Sequence, residues 1–430
     1  MCGRFGPTER FVRDVAPDNP THGMLRRLRC FAVSMLPVLF AVTVVGCADD
    51  SEGQVRFVRP GDDVQSVVDD AHPGDLLVFE PGVYTEPVVV STEGVTLRGR
   101  DRNTVIFDGQ HARPSGITVL VDDVAVENLT ARNWQVNGVF FTGASSPSDT
   151  SQLSGVRVSH VTAYNNGLYG IYLFQSGDGV VSDSYASGHP DSGFYVGQCQ
   201  PCNVTLDRVV AENNAVGYEG TNASDVYVIN SVFRANRVGI TPNSQNLEKL
   251  APQGMSVFAG NLVVDNGNVD APEQASGAFG LGIAIGGGVS NRVVRNRVVD
   301  NAGPGILVTT LDGFEPSGNV IEGNVLSGNM IDLGFWLYGG VTDVAGNRFV
   351  ANRFETSTPG DIESMGASVD VDVPTLPTSK AGPFYRDVPA PRPQQPMAAE
   401  TVETQMPVSA WVAPEIDDID VPEWLPEGGA

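Results

Sequence analysis

An asparagine recurs along the chain at Asn133, Asn165, Asn213, Asn236, Asn266, Asn301, Asn329 and Asn352, and Gly188 fills the same place between Asn165 and Asn213. Successive spacings are 32, 23, 25, 23, 30, 35, 28 and 23 residues, so the basic period is 23 and the longer intervals carry inserted loops, as around 242–254 and 268–279. A β-rich piece precedes each corner, for example Val161-Thr162-Ala163-Tyr164 or Val232-Phe233-Arg234-Ala235. Gly and a second strand follow it, as in Gly170-Ile171-Tyr172-Leu173 and Gly193-Phe194-Tyr195-Val196. A third strand, seen in Gly155-Val156-Arg157-Val158 and Asp225-Val226-Tyr227-Val228, completes the unit. No single unit can bury its alternate apolar residues, so the units must stack. Asn suits the corner because it tolerates the left-handed conformation and its amide can bond to the same group one coil away. The pattern predicts an all-β chain, a single-stranded right-handed parallel β-helix (solenoid). A β-sandwich would not hold so many repeats in one register.

The ends differ from the coils. Residues 61–71 read as a short amphipathic N-terminal capping helix, which closes the open end that every solenoid has. The β-helix domain is expected over 55–370, followed by a Pro-rich acidic tail over 371–430, in which Pro374, Pro377, Pro389, Pro391 and Pro393 break any regular element. That tail is expected to be extended or disordered, or to lie back along the coil, with Trp411 and Trp424 as docking points.

Residues 24–46 hold a basic stretch, an apolar stretch and the ending Val44-Val45-Gly46-Cys47, the parts of a lipoprotein signal peptide. The apolar run is shorter than the roughly 20 residues of a membrane-spanning helix. The reading is export, cleavage before Cys47, lipidation of Cys47 and anchoring in the bilayer of the cell membrane on its extracytoplasmic side. Residues 1–23 are then a non-signal extension or a mis-assigned start, and 47–54 a linker. After cleavage the body keeps Cys199 and Cys202, disulfide candidates in a compartment that permits oxidation, with free thiols or a redox or metal role as the alternatives. No His stands at zinc-finger spacing from them.

Twenty-six Lys plus Arg against 51 Asp plus Glu give a net charge of -25, which argues against a nucleic-acid partner. The register singles out one column of side chains. In the strand after each corner Ile171, Phe194, Tyr218 and Ile240 should point inward, and Phe140, Tyr172, Tyr195, Glu219 and Thr241 outward. Gln175, Gln198 and Asn222 form a matching amide strip three residues on. Rings stack on apolar sugar faces and amides bind hydroxyls, so this surface suits an extended glycan. The alternatives are a protein partner, cover by a loop or by the C-terminal tail, and stacking for stability alone. For catalysis the available acid–base groups are Glu219, Tyr195, His189 and Asp191, with Arg208 and Arg237 as charge neutralisers, and Glu219 gains a carboxylate partner only if Asp191 folds over the strip.

With these residues in view the chain resembles the pectin-lyase-like superfamily of right-handed parallel β-helix proteins. The opening VQSVVDDAHPGDLLVFEPGVYTEPVVV followed by GVTLRGRDRNTVIFDG is similar to the first coils of many members. The segments DSGFYVGQCQPCNV, ENNAVGYEGTNASDV and NRVGITPN look like a set of bacterial β-helix repeat lipoproteins whose activity is not assigned. The superfamily includes polysaccharide lyases, hydrolases, esterases and epimerases. Its hydrolase pattern of paired aspartates with Gly-His-Gly is absent here, and His189-Pro190-Asp191 reverses the order found in epimerases, so the resemblance transfers the fold and no catalytic residue. The expectation is a monomeric binder of polysaccharide or of a cell-envelope protein, without catalysis, the alternative being a polysaccharide lyase, epimerase or hydrolase. No metal or cofactor is expected, calcium at the acidic turns being the open case.

Overall fold

The computed structural model describes residues 53–144, 150–246, 248–272, 278–338, 345–366 and 373–423. Cys47, the leader before it and Trp424 lie outside the described residues. The chain winds as a right-handed parallel β-helix whose strands form three sheets of twelve, ten and eleven members among the described residues. The first sheet runs from Val55–Val58 to Arg348–Val350, the second from Gly82–Tyr84 to Val325–Ser327, and the third from Val88–Val90 to Ser357–Thr358. Neighbouring strands pair in parallel, each with the equivalent strand of the next coil. A short helix, Val64–Asp69, is capped by Asp63, whose carboxylate accepts from Ser66 N, and buries Val64 and Val68 against the first coils. One continuous apolar core runs the length of the stack, from Val58 to Ile362.

The corner preceding the third sheet refines the sequence reading. The two jobs assigned to one Asn fall on neighbouring residues. Asn133, Asn165, Gly188, Asn213, Ala235, Asp265, Asp300 and Gly328 take the left-handed backbone conformation. The next residue points inward and carries the ladder: Asn166, His189, Asn214, Asn236, Asn266, Asn301 and Asn329. Each of the asparagines from Asn214 to Asn301 donates its main-chain N–H to the amide oxygen one coil on, at 3.0–3.1 Å. The sequence alignment therefore slips by one residue over its first members, because αL tolerance and ladder bonding both favour Asn. Asn352 is also reassigned. It ends a second ladder at the corner between the first and second sheets, Asn261–Asn296–Asn324–Asn352, and Asn291–Asn319–Asn347 forms a third. Buried amides satisfied in this way are strongly position-specifying. Glycine is required beside the first ladder: a Cβ at Gly239 or Gly305 would sit 3.0 or 2.8 Å from the amide nitrogen of Asn266 or Asn329.

The tail is an ordered strap. Val373 and Leu376 pack on the outer face of the third sheet, Asn165 Nδ2 donates to Val388 O at 2.8 Å, and Asn103 exchanges two 2.8 Å bonds with Gln394. The strap reaches the first coils, where Gln405 bonds to Gly53, and then turns back over the first sheet. There Trp411 donates to Thr205 Oγ1 at 3.0 Å and sits beside the Tyr227 ring, and Pro422 O accepts from Arg297. Most fastenings are guanidinium groups on strap carbonyl oxygens: Arg98 on Thr401, Val402 and Thr404, Arg157 on Met406 and Pro407, and Arg295 on Ile416 and Ile419. Prolines lack an N–H, so a segment rich in them offers acceptors and few donors. Arg98 is wholly buried and also holds Glu127 at 2.7 Å, which Arg157 meets from the other side at 2.8 Å.

Candidate functional site

The outward column of the third sheet follows the expected register. Phe140 lies opposite Tyr172, Tyr172 opposite Tyr195, Tyr195 opposite Glu219 and Glu219 opposite Thr241. Their neighbours Ile171, Phe194, Tyr218 and Ile240 are in the core. Phe140 and Tyr172 stack at 4.9 Å between ring centroids, and Tyr195 meets Tyr172 edge-on at 4.8 Å. Tyr169, which the sequence reading left out, stacks on Tyr172 at 4.2 Å from the preceding corner. Its Asn-Gly-Leu-Tyr-Gly context was the available signal, since an aromatic in the corner loop two residues before the strand lands beside the column. Phe140, Tyr172 and Glu219 are half-buried, whereas Tyr195 is buried, with its ring across Gly197. The sequence expectation of an exposed Tyr195 is corrected accordingly: only glycine two residues on lets the ring fold flat.

Asp191 does fold over the strip. The Ser192 hydroxyl lies 3.0 Å from Asp191 Oδ1 and 2.9 Å from Glu219 Oε2, so one hydroxyl bridges the two carboxyls. Glu219 and the Tyr169 hydroxyl are the other polar side chains that act on Asp191. Burial and then the neighbouring Glu219 charge push Asp191 well above the ordinary carboxyl range. Burial raises Glu219 too, against the hydrogen bonds it receives from Ser192 and Asn243. Like charges this close oppose each other's ionisation, which favours one proton held by the pair. Burial likewise raises the hydroxyls of Tyr169, Tyr172 and Tyr195, which stay protonated donors.

Other predicted residues are placed elsewhere. His189 is fully buried in the corner ladder, its Nδ1 2.8 Å from Asn214 Oδ1 and its Nε2 3.1 Å from Asn166 Nδ2. Burial, opposed by the Asn214 bond, lowers it to about 4. It is a neutral structural imidazole and not an acid–base group, for it occupies the asparagine place. Gln175, Gln198 and Asn222 stack as predicted, but in left-handed corner positions and buried. Asn222 Nδ2 donates to Gln245 O and Lys249 O at 2.9 and 3.0 Å, and Gln198 donates to Glu248 at 2.6 Å. These two amides hold the loop after Asn243 and do not line the sheet face. Arg208 pairs with Asp183 at 2.8 Å, and Arg237 donates to Ala271 O and to Lys380 O, so neither guanidinium serves the carboxyl pair. Cys199 and Cys202 form a disulfide that clips the corner beyond the third sheet. Among the described residues no group of three or more His, Cys, Asp or Glu is placed to hold a metal ion.

The family model described as a right handed beta helix region matches residues 93–250. No curated protein matches the sequence. Two solved structures share the fold, the A-modules of the mannuronan C-5 epimerases AlgE4 and AlgE6 of Azotobacter vinelandii. They are 17% and 20% identical, each with a TM-score of 0.50, and the alignments cover 68% of this chain and 91% and 92% of theirs. At those identities the likeness is one of fold. The chain folds as a right-handed parallel β-helix, and over residues 93–250 it is similar to the family that carries that description.

Proposed function

We propose that this is an exported, lipid-anchored protein that binds a neutral glycan on the aromatic half of its third sheet, without turning it over. The observation that carries the reading is the column Phe140, Tyr172, Tyr195 and Glu219 in one register, with Tyr169 stacked 4.2 Å above Tyr172. Stacked rings with protonated hydroxyls and a carboxyl offer faces and hydrogen bonds to a sugar chain. The groups that shape Asp191 and Glu219 are acids, hydroxyls and the Asn243 amide, and the chain as a whole carries -25, which disfavours a polyanion. The leader and Cys47 supply the anchoring part of the proposal. A panel of neutral and uronate polysaccharides tests it: the protein should retain neutral glycans, Tyr172→Ala should not, and retention of polyuronates alone would reject the reading.

The second reading, a polysaccharide-processing enzyme, is favoured by the proton-sharing Asp191–Glu219 pair beside three tyrosines. These carboxyls are joined through the Ser192 hydroxyl, with no gap between them for the attacking water that inverting hydrolysis needs. The arrangement fits proton transfer at a sugar carbon better than hydrolysis. The epimerases that share the fold act on mannuronan, which agrees with a polysaccharide partner. Any new unsaturated, epimerised or shortened product formed by wild type but not by Asp191→Asn would establish it.

A further inference from the structure

The outward column does not end at Thr241. Ile240 pairs with Ile283, which brings Thr241 level with Ala284, and the column continues through Leu307 and Gly334. Ala284 and Leu307 face outward, yet they are 4% and 2% exposed. They belong to an apolar cluster with Val238, Leu281 and Trp336, against which Val373 and Leu376 of the strap pack. The strap is then fastened beyond the cluster by Arg237, which bonds to Lys380 O. One side of a single sheet is therefore aromatic, acid-bearing and half-buried over its earlier coils, and apolar and roofed by the protein's own tail over its later ones, where Trp336 is wholly buried.

We infer that the strap is a built-in stop in the ligand groove, so that the aromatic half takes a short neutral oligosaccharide or a glycan chain end and not the interior of a long chain. This rests on the glycan reading above. From Phe140 to Thr241 the unroofed column, half-buried except at the buried Tyr195, spans four coil steps of about 4.8 Å, or about 19 Å. A ligand lying along it meets Val373 and Leu376 at its far end. The ring beneath the strap, Trp336, is wholly buried in that cluster, so a sugar reaches it only once the strap is lifted. The interaction with the strap fixes where the chain must stop.

The test uses the full chain and ladders of neutral β-linked gluco-, manno- and xylo-oligosaccharides from disaccharide to decasaccharide, titrated against wild type and a V373D/L376D variant. V373G/L376G serves as a milder companion. Proteolysis within 373–382 reports whether the strap has lifted, and unchanged thermal unfolding reports that the coils remain intact. The expected result is that wild-type affinity stops rising once the ligand exceeds the unroofed column, and that the lifted variants bind the longest ligands about ten-fold more tightly, or slide along them, with short-ligand affinity unchanged. Equal length dependence in wild type and in lifted variants overturns the stop while leaving the binding reading in place. Absence of binding by every protein at every length overturns both.

Discussion

The two halves of the third sheet share a backbone, a register and an inward set of Val, Ile, Leu and Phe with Tyr218 among them, and they differ chiefly in what points outward and behind them. The earlier half shows Phe140, Tyr172, Tyr195 and Glu219, and the later half Ala284 and Leu307 under Val373 and Leu376. Behind the later half the corner ladder is all asparagine, from Asn236 to Asn329, whereas behind the earlier half it passes through His189 and ends at Trp134. The fold depends on the shared features and the candidate function on the differences. A solenoid can thus vary one column of side chains along its length without altering the coil.

The largest expected effect breaks the fastening that keeps the two halves distinct. Arg98→Ala removes a buried cation that joins Glu127 to three strap carbonyls. It should cost about 3–5 kcal/mol in denaturant unfolding and expose the strap to protease. A loss below about 1 kcal/mol would show that the strap is held chiefly elsewhere.

Next comes the ladder behind the aromatic half. The folded pKa of His189 lies below its unfolded value near 6.5, so its contribution is fully present above that pH and is lost as pH falls toward about 4. Over that window wild type should lose on the order of 3 kcal/mol that His189→Asn, which restores the asparagine place, does not lose. Parallel acid-unfolding curves for the two proteins would contradict this account of the corner.

Two substitutions in the one column sharpen the contrast directly. Leu307→Asp puts a carboxylate beneath the strap and should destabilise by about 2 kcal/mol while leaving short-glycan binding intact. Tyr172→Ala should destabilise by about 1 kcal/mol and abolish that binding. Calorimetry of unfolding and of binding on both variants decides, and the opposite pairing of effects would invert the assignment of the halves.

The smallest effect concerns the shared proton. Asp191 is raised in the fold, so its favourable contribution is present at low pH and is lost as pH rises through that raised value. Asp191→Asn should therefore flatten the alkaline decline of the melting temperature, with a gain of about 1 kcal/mol at pH 8 and little change at pH 5. An unchanged alkaline slope would mean that Asp191 and Glu219 do not share a proton.

The coil was legible because its cause is periodic. Alternate apolar residues between recurrent corners leave one way to bury them, and the inward positions of Ile171, Phe194, Tyr218 and Ile240 follow from strand alternation alone. The outward row Phe140, Tyr172, Tyr195 and Glu219 was legible for the same reason. What escaped the sequence depends on neighbours that no period encodes. The one-residue offset between Asn165 and Asn166 was hidden because Asn serves both places, and the role of His189 because a histidine in a ladder of amides looks like chemistry. Tyr169 beside Tyr172, and the burial of Gln198 under the Glu248 loop, need the path of loops. The strap could be suspected from its prolines, but its partners could not, because guanidinium groups binding carbonyl oxygens leave no trace in the side chains of the segment they hold.

That mode of fastening also makes the strap a measure of length. Its contacts fall on Arg98, Arg157, Arg295 and Arg297, which are spread over most of the stack, and on Gly53 at the first coil. Inserting or deleting a single coil would shift every later anchor by about 4.8 Å against the strap, so that its carbonyl oxygens could not all keep their guanidinium partners. The number of coils, which nothing in a repeating core limits, is thereby tied to the spacing of anchors along a tail that is synthesised after the coils and closes best over a stack of matching height.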